Sequence, residues 1–76
     1  MPRLNCTYGE FIEIIKAAGF TLHRHDGTSH QRWRCVVGGR VRMVDVTPHS
    51  LGSQIPLGTL QSMIRQSGLP KNSFRK

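Results

Sequence analysis

Gly38 and Gly39 stand between two stretches of alternating side chains, and no other feature of the chain constrains its fold as tightly. A glycine pair in that setting signals a two-residue hairpin turn, whose central residues need positive φ. A turn of fixed length also fixes the register of the strands it joins. Trp33 then faces Val44, and Gln31 faces Val46, on one side of the sheet. Arg32 faces Asp45, and Arg34 faces Met43, on the other. Successive side chains of a strand point to opposite faces, so a slip of one residue would exchange the two sets. The two strands are expected over about residues 29–37 and 40–46. Arg42 falls opposite Cys35 on the inner side, an awkward place that a long side chain tolerates near a sheet edge by snorkelling.

An earlier run, Phe20 to His25, alternates as well, with Phe20 and Leu22 on one face and Thr21, His23 and His25 on the other. Asp26-Gly27 follows and matches a two-residue turn. That turn would pair Phe20 with Trp33, Leu22 with Gln31, and His23 with His30.

Helices flank the strands. Thr7 and Glu10 form a capping-box pattern. Phe11, Ile14, Ile15 and Ala18 follow at the spacing of an amphipathic helix, with Tyr8 extending the stripe. Gly19 then Phe20 form the ending of a Schellman motif, so the first helix is expected over about residues 7–18. Residues 47–55 read as a loop, broken by Pro48 and Gly52. Pro56 suits the first position of a second helix, about 56–67, carrying Leu57, Leu60, Met63 and Ile64 and stopped by Gly68, with Leu69 as the apolar contact. Residues 70–76 are expected as a loose tail, pinned at most through Phe74.

The order is α-β-β-β-α, an α+β class. A three-stranded antiparallel sheet with one apolar side needs both helices on that side. Seventy-six residues make one domain, 1–76, with an ordered core of about 7–69. A core of this size is small, since chains of about 60 residues bury only ~60% of their unfolded surface.

The side of the sheet left in water is cationic. His30, Arg32 and Arg34 share it, while Trp33 and Cys35 point inward. The chain as a whole has 11 Lys and Arg against 4 Asp and Glu, a net +7. The cations are scattered, so a disordered basic arm is not indicated, and a folded surface for a polyanion is. Nucleic acid is the commonest such partner. Cys6 and Cys35 form no Cys-x-x-Cys pair and are expected as free thiols in a reducing cytoplasm. There is no signal-like apolar segment at the start, and no run near the ~18 residues of a membrane span.

Ala18-Gly19-Phe20, Gly27-Thr28-Ser29-His30, Val44-Asp45-Val46 with His49 beyond, Gly58-Thr59-Leu60, and Ile64-Arg65-Gln66-Ser67-Gly68-Leu69 occur in that order. In order and spacing they resemble the HicA toxins of bacterial HicAB toxin–antitoxin systems, from about Tyr8 to Leu69. Thr28 between Gly27 and Ser29, and Pro48 directly before His49, depart from the family's usual spacing. The resemblance implies a fold like the double-stranded-RNA-binding domain and ribosome-independent cleavage of mRNA, which inhibits translation. It also implies a HicB-type antitoxin that covers the active surface. It places the catalytic histidine on His30.

Cleavage of RNA by its own ribose 2′-OH needs a base, an acid and charge stabilisation at phosphorus. Histidine suits the proton transfers, with an ordinary pKa of ~6.5. Arg32 and Arg34 share its face and suit phosphate oxygens. Arg32 can equally pair with Asp45 across the strands. Ser29, Arg24 and Arg40 are further candidates for RNA contacts, and His49 and His23 are secondary candidates for the chemistry. His23 and His25 lie near His30 in this reading, but no thiolate joins them, so neither a metal nor a cofactor is expected. The expectation is a histidine-dependent, metal-independent endoribonuclease. The alternative is a non-catalytic RNA-binding module of the same fold.

Overall fold

The computed structural model describes residues 4–25, 31–46 and 51–74. The order is α1 (Tyr8–Ala17), β1 (Thr21–His25), β2 (Gln31–Val37), β3 (Arg40–Val46), α2 (Leu57–Ser67), and a single 3-10 turn over Lys71–Phe74. The strands form one antiparallel sheet in the order β1-β2-β3. The expected α-β-β-β-α domain is the one observed, consistent with the double-stranded-RNA-binding-domain-like fold.

Helix α1 begins where its orphan N–H groups are all accounted for. The first N–H groups of a helix lack partners within it. Here the Thr7 N–H donates to Glu10 Oε1 at 2.8 Å and the Glu10 N–H to Thr7 Oγ1 at 3.2 Å, the reciprocal capping box. Between them, the Tyr8 N–H donates to the Ser53 carbonyl (3.0 Å) and the Gly9 N–H to the Leu51 carbonyl (2.9 Å). A Cβ on Gly9 would lie 3.0 Å from that Leu51 oxygen, so glycine permits the approach. The Ile55 N–H to Cys6 carbonyl bond completes the joint.

The other end of α1 is a full Schellman motif. Phe20 N–H donates to Ile15 O and Gly19 N–H to Lys16 O, with Gly19 at φ 104°. Phe20 is thereby turned into the core beside Ile15. Phe11 and Ile15 are buried, and Tyr8, Ile12 and Ile14 pack half-buried around them. Ala18, expected at the end of the stripe, is exposed because it is the C-cap residue, where the chain leaves the helix.

The β2–β3 register agrees with the expectation at every pair from Gln31↔Val46 to Val37↔Arg40. Gly38 and Gly39 take φ of 59° and 80°. The β1–β2 register does not agree. Thr21 pairs with Arg34 and Leu22 with Trp33, and beyond an irregularity Arg24 pairs with Arg32 and His25 with Gln31. A two-residue Asp26-Gly27 turn would have paired His25 with Thr28; instead five residues, 26–30, separate the last observed pair. The ending of α1 explains the difference at the other end: it holds Phe20 in the core, so the strand starts at Thr21. A shift of two keeps Leu22 on the face of Trp33. His23 then stands as the extra residue of a bulge, and its expected pairing with His30 falls outside the described residues. Leu22, on an edge strand, keeps 45% of its surface in solvent, so its expected place among the inner residues is also corrected.

Helix α2 starts one residue later than expected, with Pro56 as its N-cap. Leu60, Met63, Ile64 and Ser67 are its buried stripe. Leu57 is exposed, because Ile55 at the corner before the helix fills the core instead. Gly68 closes the helix at φ 71°, and a Cβ there would meet Arg42 Nε at 2.8 Å. Arg42 therefore runs along the C-terminal end of α2, where a helix favours cations. Its Nε is buried without a partner among the described residues, so the snorkelling is incomplete.

The expected loose tail is corrected in part. The 3-10 turn buries Phe74 completely, and its ring stacks on Phe11 at 5.1 Å between centroids. Cys6 Sγ donates to the Phe74 carbonyl at 3.5 Å. Buried Phe→Ala changes cost about 3–5 kcal/mol. Phe74→Ala is therefore expected to lower the thermal midpoint by more than ~10 °C, at roughly 4–8 °C per kcal/mol in a domain of this size. A thermal melt with a shift of only a degree or two would show that the C-terminal turn is not part of the core.

Candidate functional site

Strand β2 alternates between core and solvent. Trp33 is buried, and its indole N–H donates to Gln31 Oε1 at 3.2 Å. Arg32 and Arg34 on either side of it are exposed. The alternation thus delivers two guanidinium groups to the outer face, two residues apart, or about 7 Å along the strand.

Asp45 stands directly across from Arg32, and Arg32 Nε donates to Asp45 Oδ1 at 2.9 Å. Both side chains are about half exposed, at 47% and 58%. Exposed pairs of this kind contribute only ~0.2–1 kcal/mol, because water and salt screen them. The pair therefore matters more for where it holds the guanidinium plane than for stability. Arg34 is opposite Met43.

The remaining sequence candidates are distributed unevenly. The bulge brings position 24 opposite Arg32 in the backbone register, closer than the expected hairpin would have placed it. His23 is exposed at the bulge. Arg40 pairs with Val37 at the far end of β3, on the register positions of Arg42 and Val44. It does not join Arg32 and Arg34. Ser29, His30 and His49 lie outside the described residues, as does the Asp26-Gly27 turn. His30 directly precedes Gln31, the first residue of β2. The signal that sequence reading missed is the bulge in β1, which changes the neighbours of Arg32.

Among the described residues, no three His, Cys, Asp or Glu side chains come together as a metal set. Cys6 and Cys35 are not joined in a disulfide. A cleft of ≈ 470 Å³ lies beside the end of α2, lined by Gln61, Ile64, Arg65, Gly68, Leu69 and Lys71, apart from the arginines of β2. No helix among the described residues is long and apolar enough to cross a membrane.

A family model described as the HicA toxin of bacterial toxin-antitoxin matches residues 8–69, most of the chain. No curated protein and no solved structure matches it.

A double-mutant cycle separates positioning from stability at the ion pair. Arg32→Ala, Asp45→Ala and the double variant are expected to give a coupling under about 1 kcal/mol in chemical denaturation, smaller still in high salt. A coupling of several kcal/mol, unaffected by salt, would make the pair a structural element instead.

Proposed function

The chain belongs to the HicA toxins of bacterial toxin–antitoxin systems, and on that premise we propose that it is an endoribonuclease that cleaves mRNA without the ribosome and so stops translation. The observation that carries this reading is the pair of exposed arginines on β2, one of them held by Asp45, directly after the histidine of the Gly27-Thr28-Ser29-His30 segment.

In the proposed reaction a ribose 2′-OH attacks the adjacent phosphorus. A bond forms from the 2′ oxygen to phosphorus, and the bond from phosphorus to the 5′ oxygen breaks. A base takes the 2′ proton and an acid returns one to the leaving 5′ oxygen. His30 is the group we assign to proton transfer. Arg32 and Arg34 bind the phosphate oxygens, whose negative charge grows in the transition state. Ser29 and Arg24 add contacts to the strand. Arg40, at the far end of β3, is restricted to general attraction of the polyanion. His23 and His49 are the alternatives to His30. The chemistry draws on side chains alone, with no metal. It takes place in the cytoplasm, where mRNA is found, and an acidic antitoxin of the HicB type silences it.

Two measurements test the proposal. His30→Ala is expected to lower the cleavage rate by ~10²–10⁴-fold. The outer-face register read from the sequence makes it a surface change, costing under ~0.5 kcal/mol, with RNA affinity at fixed salt little altered. Cleavage that persists in this variant moves the chemistry to His49 or His23. Wild-type protein that binds RNA and never cuts it is a binding module. The second measurement is cleavage in EDTA, expected to match that in its absence. Activity that vanishes in chelator and returns with Mg²⁺ or Zn²⁺ would refute the metal-free mechanism.

A further inference from the structure

Beyond Arg34 the outer face changes character. Val36 and Val41 pair directly across β2 and β3, and Met43 stands next along β3, opposite Arg34. Their exposures are 57%, 55% and 36%. All three lie on outer register positions and form one apolar patch at the Gly38-Gly39 end of the hairpin. The patch centre is five residues from Gln31, about 17 Å along the strand. Strands favour valine on any face, which alone could account for Val36 and Val41. That preference does not extend to Met43, nor does it explain three apolar neighbours with Arg34 at their border. Apolar centres rimmed by arginine, with methionine enriched, are the composition of protein interfaces. An RNA backbone has no use for aliphatic surface.

We propose that this end of the outer face is where the antitoxin docks, through a segment that presents apolar side chains flanked by carboxylates. The inference rests on the toxin reading above and adds where the partner is anchored. Charge selects the occupant. The chain carries +7, and its described carboxylates are already engaged: Glu10 in the α1 cap, Glu13 with Lys16, and Asp45 with Arg32. An acidic protein is attracted to such a face, and a second copy of a +7 chain is repelled. A standard interface buries about 800 Å² per partner, more than three side chains supply. The partner must therefore extend along β2 over Arg34 and Arg32, where it competes with RNA. Anchor and blocked site are two ends of one strand, so they are separable by mutation.

The test uses the full chain co-expressed with a HicB-type antitoxin that neutralises the wild type. Val41→Glu removes apolar surface and adds a charge that an acidic partner repels. Val36→Thr/Val41→Thr removes apolar surface while keeping β-branched side chains, and it decides the matter if Val41→Glu does not fold. Growth arrest, RNA cleavage and antitoxin affinity are measured for each. Both variants are expected to cleave RNA and arrest growth as the wild type does. Antitoxin affinity should fall at least ~100-fold for Val41→Glu and about tenfold for the double threonine variant, with loss of neutralisation. If wild type is neutralised and both variants bind the antitoxin within threefold of it, the docking site is wrong. The same holds if the variants lose RNA cleavage but keep antitoxin affinity, or if sedimentation shows a wild-type dimer that Val41→Glu dissociates. A wild type that neither arrests growth nor binds the antitoxin overturns the toxin reading, and the docking site with it.

Discussion

The pairing of Trp33 with Val44 is the contact on which the rest of the domain depends. It sets which half of β2 and β3 faces the helices. Once these two are buried, Gln31 and Val46 must follow on the same side, and Arg32, Arg34, Met43 and Asp45 must face water. A slip of one residue would bury two arginines and expose the indole, so the wrong register is strongly excluded. The cationic face is therefore a by-product of core formation. No separate device is needed to hold Arg32 and Arg34 outward.

A sheet of three strands with two short helices has little apolar surface to bury, and the chain compensates at its ends. Cys6 and Phe74 lie far apart in sequence yet are both fully buried and in contact. Phe74 stacks on Phe11, so the C-terminal turn closes the side of the core that α1 opens. The start of α1 is fixed by the 51–55 segment, which supplies carbonyls to N–H groups that would otherwise need water. Regions that a strand-and-helix description leaves as connections thus hold the two layers together.

What the sequence made legible follows the same physics. The capping box, the Schellman ending and the β2–β3 ladder were readable because each depends on residues close in the chain whose geometry has few alternatives: Thr7 with Glu10, Gly19 with Phe20, Gly38 with Gly39. The β1–β2 register was not, because Asp26-Gly27 is only a local preference, and the position of Phe20 is decided by the core. Leu57 and Phe74 misled for a related reason. Helical spacing makes Leu57 apolar-facing, but the corner at Ile55 had already filled its place. Nothing local announces that Phe74 will find Phe11. Of the candidate site, Arg32, Arg34 and Asp45 fall where the alternation puts them. The β1 bulge, which aligns position 24 with Arg32, has no comparable local signal. His30, Ser29 and His49 belong to segments outside the described residues, so their assignment stands on the sequence.

The Arg32–Asp45 pair has a further consequence. An exposed pair adds little to stability, yet it places a carboxylate in the middle of a face proposed to bind phosphate. That carboxylate opposes the polyanion, so its retention there needs a compensating use. Restraining the guanidinium supplies one. A free arginine loses rotamer freedom when it grips a phosphate, at a cost of order 1–2 kcal/mol. A guanidinium already held through Nε has surrendered part of that freedom before the ligand arrives. Arg34, opposite Met43, is not restrained by a carboxylate on its cross-strand partner. Of the two arginines proposed to bind phosphate, Arg32 is thus suited to an oxygen whose position must be exact, and Arg34 to one that is met in more than one geometry.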